Sequence, residues 1–355
     1  MVKAYSLINL TVKARDIKSI ATLKSELVRF SVHNSEIWVM HFFIEEGENL
    51  STNYNLSKRR PQIILFGNGL VYKKSWDEVI NDLKECNVEN TLKGQGVPYP
   101  LQSSVLFSTD EVVRNRKYEN YFNTTKADDN IHYEYDVYYP LIEKILTLDF
   151  DAYLTTNYTY ELEKTIHPGY LRLSNKAYYA KSNNEKGKDK KRIKYTYNSF
   201  NYNNKEKKVW HIHGEARNKS SIIFTHDDYC RLMGDLNVLN TAAGNKFENS
   251  KKEFKIHSWL DYFIVADIYV VGFRLDFSEI DIWWLLNRRL REKSGYGKIY
   301  FFEPTYDKET AKYKIMEKFE ISHIDVGFKG EPKNYNEFYN LAFNKIKELM
   351  EENMK

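Results

Sequence analysis

The sequence predicts an α/β protein built on a doubly wound, mostly parallel sheet. Two observations carry that expectation. Short apolar runs at 62–66, 151–157, 210–213, 221–225 and 263–271 each stop at small or hydrogen-bonding residues. Helical patterns lie between them, and strands alternating with helices pair in parallel through crossover connections. In such sheets ligands bind outside the carboxyl ends of the strands, where these polar endings fall.

A chain of 355 residues can hold one large domain with additions, or two domains. Hydrophobic residues make up 42% and aromatic residues 15%, with 28 Tyr and 20 Phe, so a large core can be buried. The mean hydropathy of −0.63 reflects abundant Lys, Asn and Glu rather than a missing core. Cys86 and Cys230 are far apart, which suits a reducing compartment and excludes a zinc module of four thiolates. With 53 basic against 49 acidic residues, global charge makes no case for direct nucleic-acid binding. No apolar run approaches the length of a membrane span, and residues 1–6 do not read as a secretory signal. The expected location is cytoplasmic.

Residues 1–60 read as an N-terminal αβ extension, with helical spacing over Lys18 to Val32, a strand over Glu36 to Phe43 and a polar linker from Asn49 to Arg60. The main domain is expected over 61–305. Its first strand, Gln62 to Phe66, runs into Gly67-Asn68-Gly69, and Ser75 with Glu78 forms a capping box for the next helix. A loop follows at 94–100, then a helix over Tyr139 to Leu148, the strand at 151–157 and a helix from Tyr160 to Ile166. Lys181 to Lys194 is a basic insertion, read either as a solvated surface loop or as a contact for phosphates or a partner protein. Ser221 to Thr225 reads as a short strand before a helix opened by His226-Asp227-Asp228-Tyr229. Phe263 to Val271 reads as one strand covered on both faces. A helix over Ser278 to Lys293 and a strand over Lys298 to Phe302 complete the domain, and 306–355 forms a C-terminal helical tail.

The strand endings hold the candidate chemistry. Gly67-Asn68-Gly69 sits where a dinucleotide-binding turn would sit, although Tyr72 occupies the place of the third glycine. Asn157 ends one strand with Thr155 and Thr156 before it; the competing reading is an Asx-turn that caps the next helix. His213-Gly214 ends another, and the competing reading there is a core histidine bonded to a carbonyl. His211 alternates with His213, so both are expected on one face. Asp276, Glu279 and Asp281 surround a helix start and read as capping groups rather than a metal cluster. No metal site is expected. Trp283-Trp284 and Phe301-Phe302 read as core or interface aromatics.

In this order the segments resemble the sirtuin-like domains of bacterial anti-phage defence proteins. The matching residues are Gly67-Asn68-Gly69-Leu70, Ser75-Trp76, Thr155 to Glu163, His213-Gly214, Ser221 to Tyr229 and Gly272-Phe273-Arg274-Leu275-Asp276. The abortive-infection H family is similar too, with its own GNG, NYT and HG segments. Thr159 stands where the sirtuin pattern usually has an acid, and Gly67-Asn68-Gly69 replaces its Gly-Ala-Gly. The four zinc cysteines of deacetylating sirtuins are missing, which disfavours a protein deacylase.

The resemblance implies a Rossmann-like, sirtuin-like fold and cleavage of NAD at the nicotinamide–ribose bond, with NAD as substrate and no metal. Asn157 and His213 would be catalytic, and Gly67, Asn68, Gly69, Thr156, Thr159, Gly272 and Phe273 would bind the dinucleotide. The pyridinium leaves as neutral nicotinamide, so no strong acid is required, while an amide can position water and an imidazole can take a proton. Unrestrained NAD loss is toxic, so a homo-oligomer or a regulatory partner protein is expected. A nucleotide sensor without catalysis and a nucleic-acid-directed effector using 181–194 are the alternatives.

Overall fold

The computed structural model describes residues 28–32, 35–39, 52–54, 59–71, 75–85, 89–122, 132–166, 181–182, 196–216, 218–249, 254–256, 258–291, 297–305, 307, 309–330 and 335–353. Two compact units, Met1–Gly47 and Glu48–Lys355, divide the chain. In the first, β1 (Val28–Val32) and β2 (Ser35–Val39) form an antiparallel hairpin. Val28 to Val32 is thus strand rather than the end of a helix. The alternation of Val28, Phe30 and Val32 is the period-2 signal that the helical spacing concealed. The rest of that expected helix, residues 40–43 and the basic stretch beyond Ser182 lie outside the described residues.

The second unit begins before Pro61. Its segment β3 (Thr52–Tyr54) falls in the expected linker and pairs antiparallel with β9 (Phe254–Ile256). The main sheet is built from β4 (Gln62–Phe66), β5 (Ala152–Thr155), β6 (Lys181–Ser182), β7 (Thr196–Tyr202), β8 (Lys205–His211), β10 (Asp267–Val271), β11 (Ile299–Phe302) and β12 (Ile321–His323). Its order is β12-β11-β10-β4-β5-β8-β7-β6, eight strands, with β12 through β8 parallel and β7 and β6 antiparallel. From β4 the chain first adds β5 and β8 on one side, then returns to add β10, β11 and β12 on the other. The strand order therefore reverses between β4 and β10, and their carboxyl ends frame the crevice where a doubly wound sheet receives a ligand.

Alternate residues of each central strand face opposite layers. Ile63, Leu65, Leu154, Trp210, Ile268 and Val270 join one buried cluster with residues of α6 (His226–Asn249), α7 (Trp259–Val265) and α8 (Ile280–Arg291). Ile64, Phe66, Tyr153, Val209, Tyr269 and Val271 join the other with residues of α4 (His132–Thr147) and α10 (Tyr335–Asn353). Both faces are covered, and the chain has a Rossmann-like α/β fold.

Three expectations change. The apolar run at 263–271 covers two elements, because Ser258 and Asp261 form a capping box that starts α7 and the strand begins only at Asp267. Residues 222–225 do not form a ladder strand; Ile223 N–H donates to His213 O at 2.8 Å and the segment leads into α6. Residues 306–355 are not a helical tail alone, since they supply α9 (Ala311–Lys318) and the edge strand β12 before α10. By contrast, the Ser75–Glu78 capping box opens α1 (Trp76–Leu83) as the sequence predicts.

At the crevice, Gly69 N–H donates to Gly272 O at 2.8 Å, and Tyr339 of α10 donates to Gly69 O at 2.9 Å. A Cβ on Gly69 would lie 2.6 Å from Gly272 O, while Gly272 itself has φ +63°. The backbone approach therefore requires glycine at both places. Gly69→Ala should lose roughly 1–3 kcal/mol by overpacking, read as a lower urea midpoint. An unchanged midpoint would contradict this contact.

Candidate functional site

The parallel pairing of β5 with β8 aligns Thr155 with His211, and Ile212 N–H donates to Thr155 O at 2.9 Å. Asn157 and His213 each stand two residues beyond that pair, at neighbouring strand ends. Asn157 is buried, and its amide nitrogen has no hydrogen-bond partner among the described residues. A buried donor that no protein group satisfies is costly to keep. Asn157 lies four residues ahead of α5 (Glu161–Ile166). What holds Asn157 is its backbone: its N–H donates to Thr155 Oγ1 at 3.1 Å, and its carbonyl accepts from His211 Nδ1 at 2.6 Å.

His213 lies among acids. Its Nε2 is 3.0 Å from Asp281 Oδ2 and its Nδ1 is 3.8 Å from Glu279 Oε2. Tyr229 donates to that same Glu279 oxygen at 3.1 Å, and its ring meets the imidazole edge-on. All four side chains are buried. Asp281 Oδ1 has no partner among the described residues. Burial alone would lower the His213 pKa, but the Asp281 carboxylate, its hydrogen bond and Glu279 raise it above the ordinary value. Burial pushes the Glu279 carboxyl up to about 7, with His213 opposing and Asp281 adding to the rise.

The two histidines do not share a set of partners. The ladder stops at His211, and the chain then turns through Gly214, whose φ is +91°; a Cβ there would lie 2.1 Å from Ser221 O. Period-2 alternation therefore ends before His213. His211 Nε2 instead faces Glu163 Oε1 of α5 at 2.9 Å, and Asn198 of β7 donates to that same oxygen at 2.9 Å. The carbonyl-bonded core histidine that was one reading of His213 describes His211.

The residues expected to bind a dinucleotide partly converge. A Cβ on Gly67 would lie 3.0 Å from Phe273 Cδ2, 3.1 Å from Gly272 O and 3.2 Å from Thr156 Oγ1, so these four meet between β4, β5 and β10. Gly69 joins them through Gly272. Asn68 is exposed beside them. Thr159 lies past the strand end and donates to the Glu161 carboxylate, which brings an acid beside the position where the family pattern carries one.

Sequence reasoning missed Asp281 and Glu279 as partners of His213. Asp276 forms a turn ahead of α8 rather than a cap on it, since its Oδ1 accepts from Ser278 N–H at 2.8 Å, two residues before the helix begins. The signal available was two acids, Glu279 and Asp281, at the start of a helix whose apolar residues pack into the core. His213, Glu279 and Asp281 present ligand atoms within 4.8 Å of one another, a set that could hold a divalent cation. Hydrogen bonding already accounts for the closest pair, His213 with Asp281. Trp283 packs partly buried against the core and donates to Asp276 O at 2.9 Å, while Phe301 and Phe302 are core residues.

The fold is that of an α/β protein of the doubly wound class, with polar side chains gathered at the carboxyl ends of its strands. Residues 151–324 match the family model of the SIR2-like domain, which places a sirtuin-like domain in this stretch of the chain. The matched stretch runs from Asp151 before β5 through β12, so it includes Asn157, the His213 cluster and Gly272 but not Gly67 to Gly69. SIR2-like domains in general act on or with NAD. No curated protein matches the chain significantly. No helix among the described residues is long and apolar enough to cross a membrane.

The His211–Glu163 pair is buried on both sides. Burial alone would lower the His211 pKa, but Glu163, its hydrogen bond, Glu215 and the Asn157 carbonyl raise it to about 9. A raised folded value means that this stabilisation is complete below the ordinary histidine range and is lost as pH rises through about 9. Glu163→Ala should cost roughly 3–5 kcal/mol in urea unfolding at neutral pH, because it leaves a buried cation unpaired. The deficit should shrink above pH 9; a deficit independent of pH would contradict the pairing.

Proposed function

We propose that this protein is an NAD+ hydrolase that releases nicotinamide and ADP-ribose, with Asn157 and His213 as its catalytic residues. The observation that carries the reading is the amide of Asn157, partnerless among the described residues and buried beside a titratable His213–Glu279–Asp281 cluster at adjoining strand ends of a SIR2-like domain. A sugar hydroxyl or water supplies the acceptor which that amide lacks.

In the proposed reaction the bond between ribose C1′ and the pyridinium nitrogen breaks, and its electron pair leaves with neutral nicotinamide. Asn157 Nδ2 holds water or a ribose hydroxyl against the oxocarbenium-like carbon. Water adds at C1′, and its proton passes to the chain formed by Tyr229, Glu279, His213 and Asp281. Asp281 fixes the imidazole by accepting from Nε2, which leaves Nδ1 on the Glu279 side. Below about pH 7 Glu279 keeps its proton and the chain is full; once Glu279 ionises it can accept one more. The crevice lined by Gly67, Asn68, Gly69, Thr156, Gly272 and Phe273 takes the diphosphate and adenosine side, with Thr159 toward nicotinamide.

The proposal extends to the cell. Resemblance to anti-phage defence proteins supports a toxic, cytoplasmic effector that depletes NAD by abortive infection and is restrained by homo-oligomerisation or a partner protein. The readings without NAD cleavage predict saturable NAD binding with no product, or salt-sensitive DNA binding through 181–194.

Purified protein incubated with NAD+ should release nicotinamide, at a rate that rises as pH passes about 7. Asn157→Ala and His213→Ala should each reduce turnover by about a hundredfold or more. A chelator should leave the wild-type rate unchanged. Turnover near the wild-type level in both variants would reject the assignment, and loss of activity on chelation would turn attention to a cation at His213, Glu279 and Asp281.

A further inference from the structure

His211 lies outside every role assigned so far, although its ring makes two of the shortest buried contacts near the site. Nδ1 is 2.6 Å from the Asn157 carbonyl oxygen and Nε2 is 2.9 Å from Glu163 Oε1. A carbonyl can only accept, so Nδ1 must donate to it. The Glu163 carboxylate can only accept, from Asn198 Nδ2 and from the imidazole alike, so Nε2 donates there as well. Both ring nitrogens then carry protons, and the ring is a buried imidazolium neutralised by one carboxylate.

We propose that His211 is a positioning residue for Asn157: it grips the Asn157 carbonyl from one nitrogen and the α5 carboxylate of Glu163 from the other, and so aims the Asn157 amide into the crevice. The inference rests on the proposed role of Asn157, but its structural part can be tested separately. Asn157 lies beyond the last β5 residue, so no ladder bond holds it. The remaining backbone ties of the turn are Asn157 N–H to Thr155 Oγ1 at 3.1 Å, Thr156 N–H to Phe66 O at 3.3 Å and Ala216 N–H to Tyr158 O at 2.8 Å. His211 alone reaches the Asn157 carbonyl among the described residues.

The surroundings preserve the double donor. Glu163 faces it from α5 and Glu215 from the turn after β8, while the Tyr160 ring packs edge-on and its hydroxyl donates to Glu215 at 3.1 Å. These carboxylates and the Asn157 carbonyl outweigh burial and raise its pKa to about 9. Below that pH the grip is complete. As pH rises through it one ring nitrogen loses its proton, and the grip on either the carbonyl or the carboxylate fails.

The test uses the full chain with NAD+ as probe, following nicotinamide release from pH 6 to 10 in wild type, His211→Gln and Glu163→Gln. The wild-type kcat should fall as pH rises through about 9. In Glu163→Gln, which keeps an acceptor but removes the charge, this alkaline limb should move toward neutral pH. His211→Gln cannot reach both partners, and kcat should fall by about a hundredfold with a smaller change in KM, the scale set by misplacing a reacting group by about 1 Å. An alkaline limb unmoved in Glu163→Gln, or wild-type kcat in His211→Gln, would overturn the proposal. If Glu163→Gln does not fold, by near-ultraviolet circular dichroism, the His211→Gln kinetics decide. If the wild type releases no nicotinamide, the NAD reading fails by itself and nitrogen-15 resonances of His211 decide the grip. Both nitrogens protonated up to about pH 9 would support it; titration at the ordinary value of about 6.5 would overturn it.

Discussion

Parallel pairing of β5 with β8, in the register that sets Thr155 opposite His211, is the constraint from which the site follows. Shifting that register by one residue would turn Trp210 out of one core layer and Val209 out of the other. The apolar residues of β8 therefore lock the polar ones that follow them. Because the register is fixed, residues two positions past the pair emerge together, and Asn157 and His213 arrive at neighbouring strand ends. The reversal of strand order between β4 and β10 then opens a crevice next to them, closed at its base by the Gly69–Gly272 backbone contact.

Buried charge surrounds both strand ends, and the two networks differ in kind. Around His211 both ring nitrogens have acceptors and carboxylates offset the charge, which makes a rigid support. Around His213 the count does not close: Asp281 Oδ1 has no partner among the described residues, and Glu279 sits at a pKa of about 7 because burial resists its ionisation. Unsatisfied polar groups and a carboxyl poised near neutrality reduce stability. They persist where a ligand completes them. In the proposed reaction the satisfied network around His211 is the support and the one around His213 handles the proton.

Much of this was legible in the sequence, for identifiable reasons. Apolar runs ending at Gly67, Asn157, His213 and Gly272 marked four strand ends, because burial on both faces leaves a continuous apolar run and the ligand edge leaves small polar residues. The run at 263–271 concealed a helix, since α7 is buried all round and its composition is indistinguishable from that of the strand after it. Only Ser258 and Asp261, a capping box ahead of the run, marked the boundary. The segment 222–225 has strand composition but is held by single bonds to His213 and Tyr158, which no local pattern encodes. Long-range partners were the least legible. Asp281 and Glu163 resemble ordinary first-turn acids, and what makes them different is which histidine the fold sets against them.

The account depends on the Asn157 amide being completed by a sugar of the dinucleotide. A crystal structure of the His213→Ala variant with NAD+ bound tests this most directly. The account predicts the nicotinamide ribose at the ends of β5 and β8, with a ribose hydroxyl or an ordered water within about 3 Å of Asn157 Nδ2. A dinucleotide seated elsewhere, with that nitrogen still lacking a partner, would contradict it.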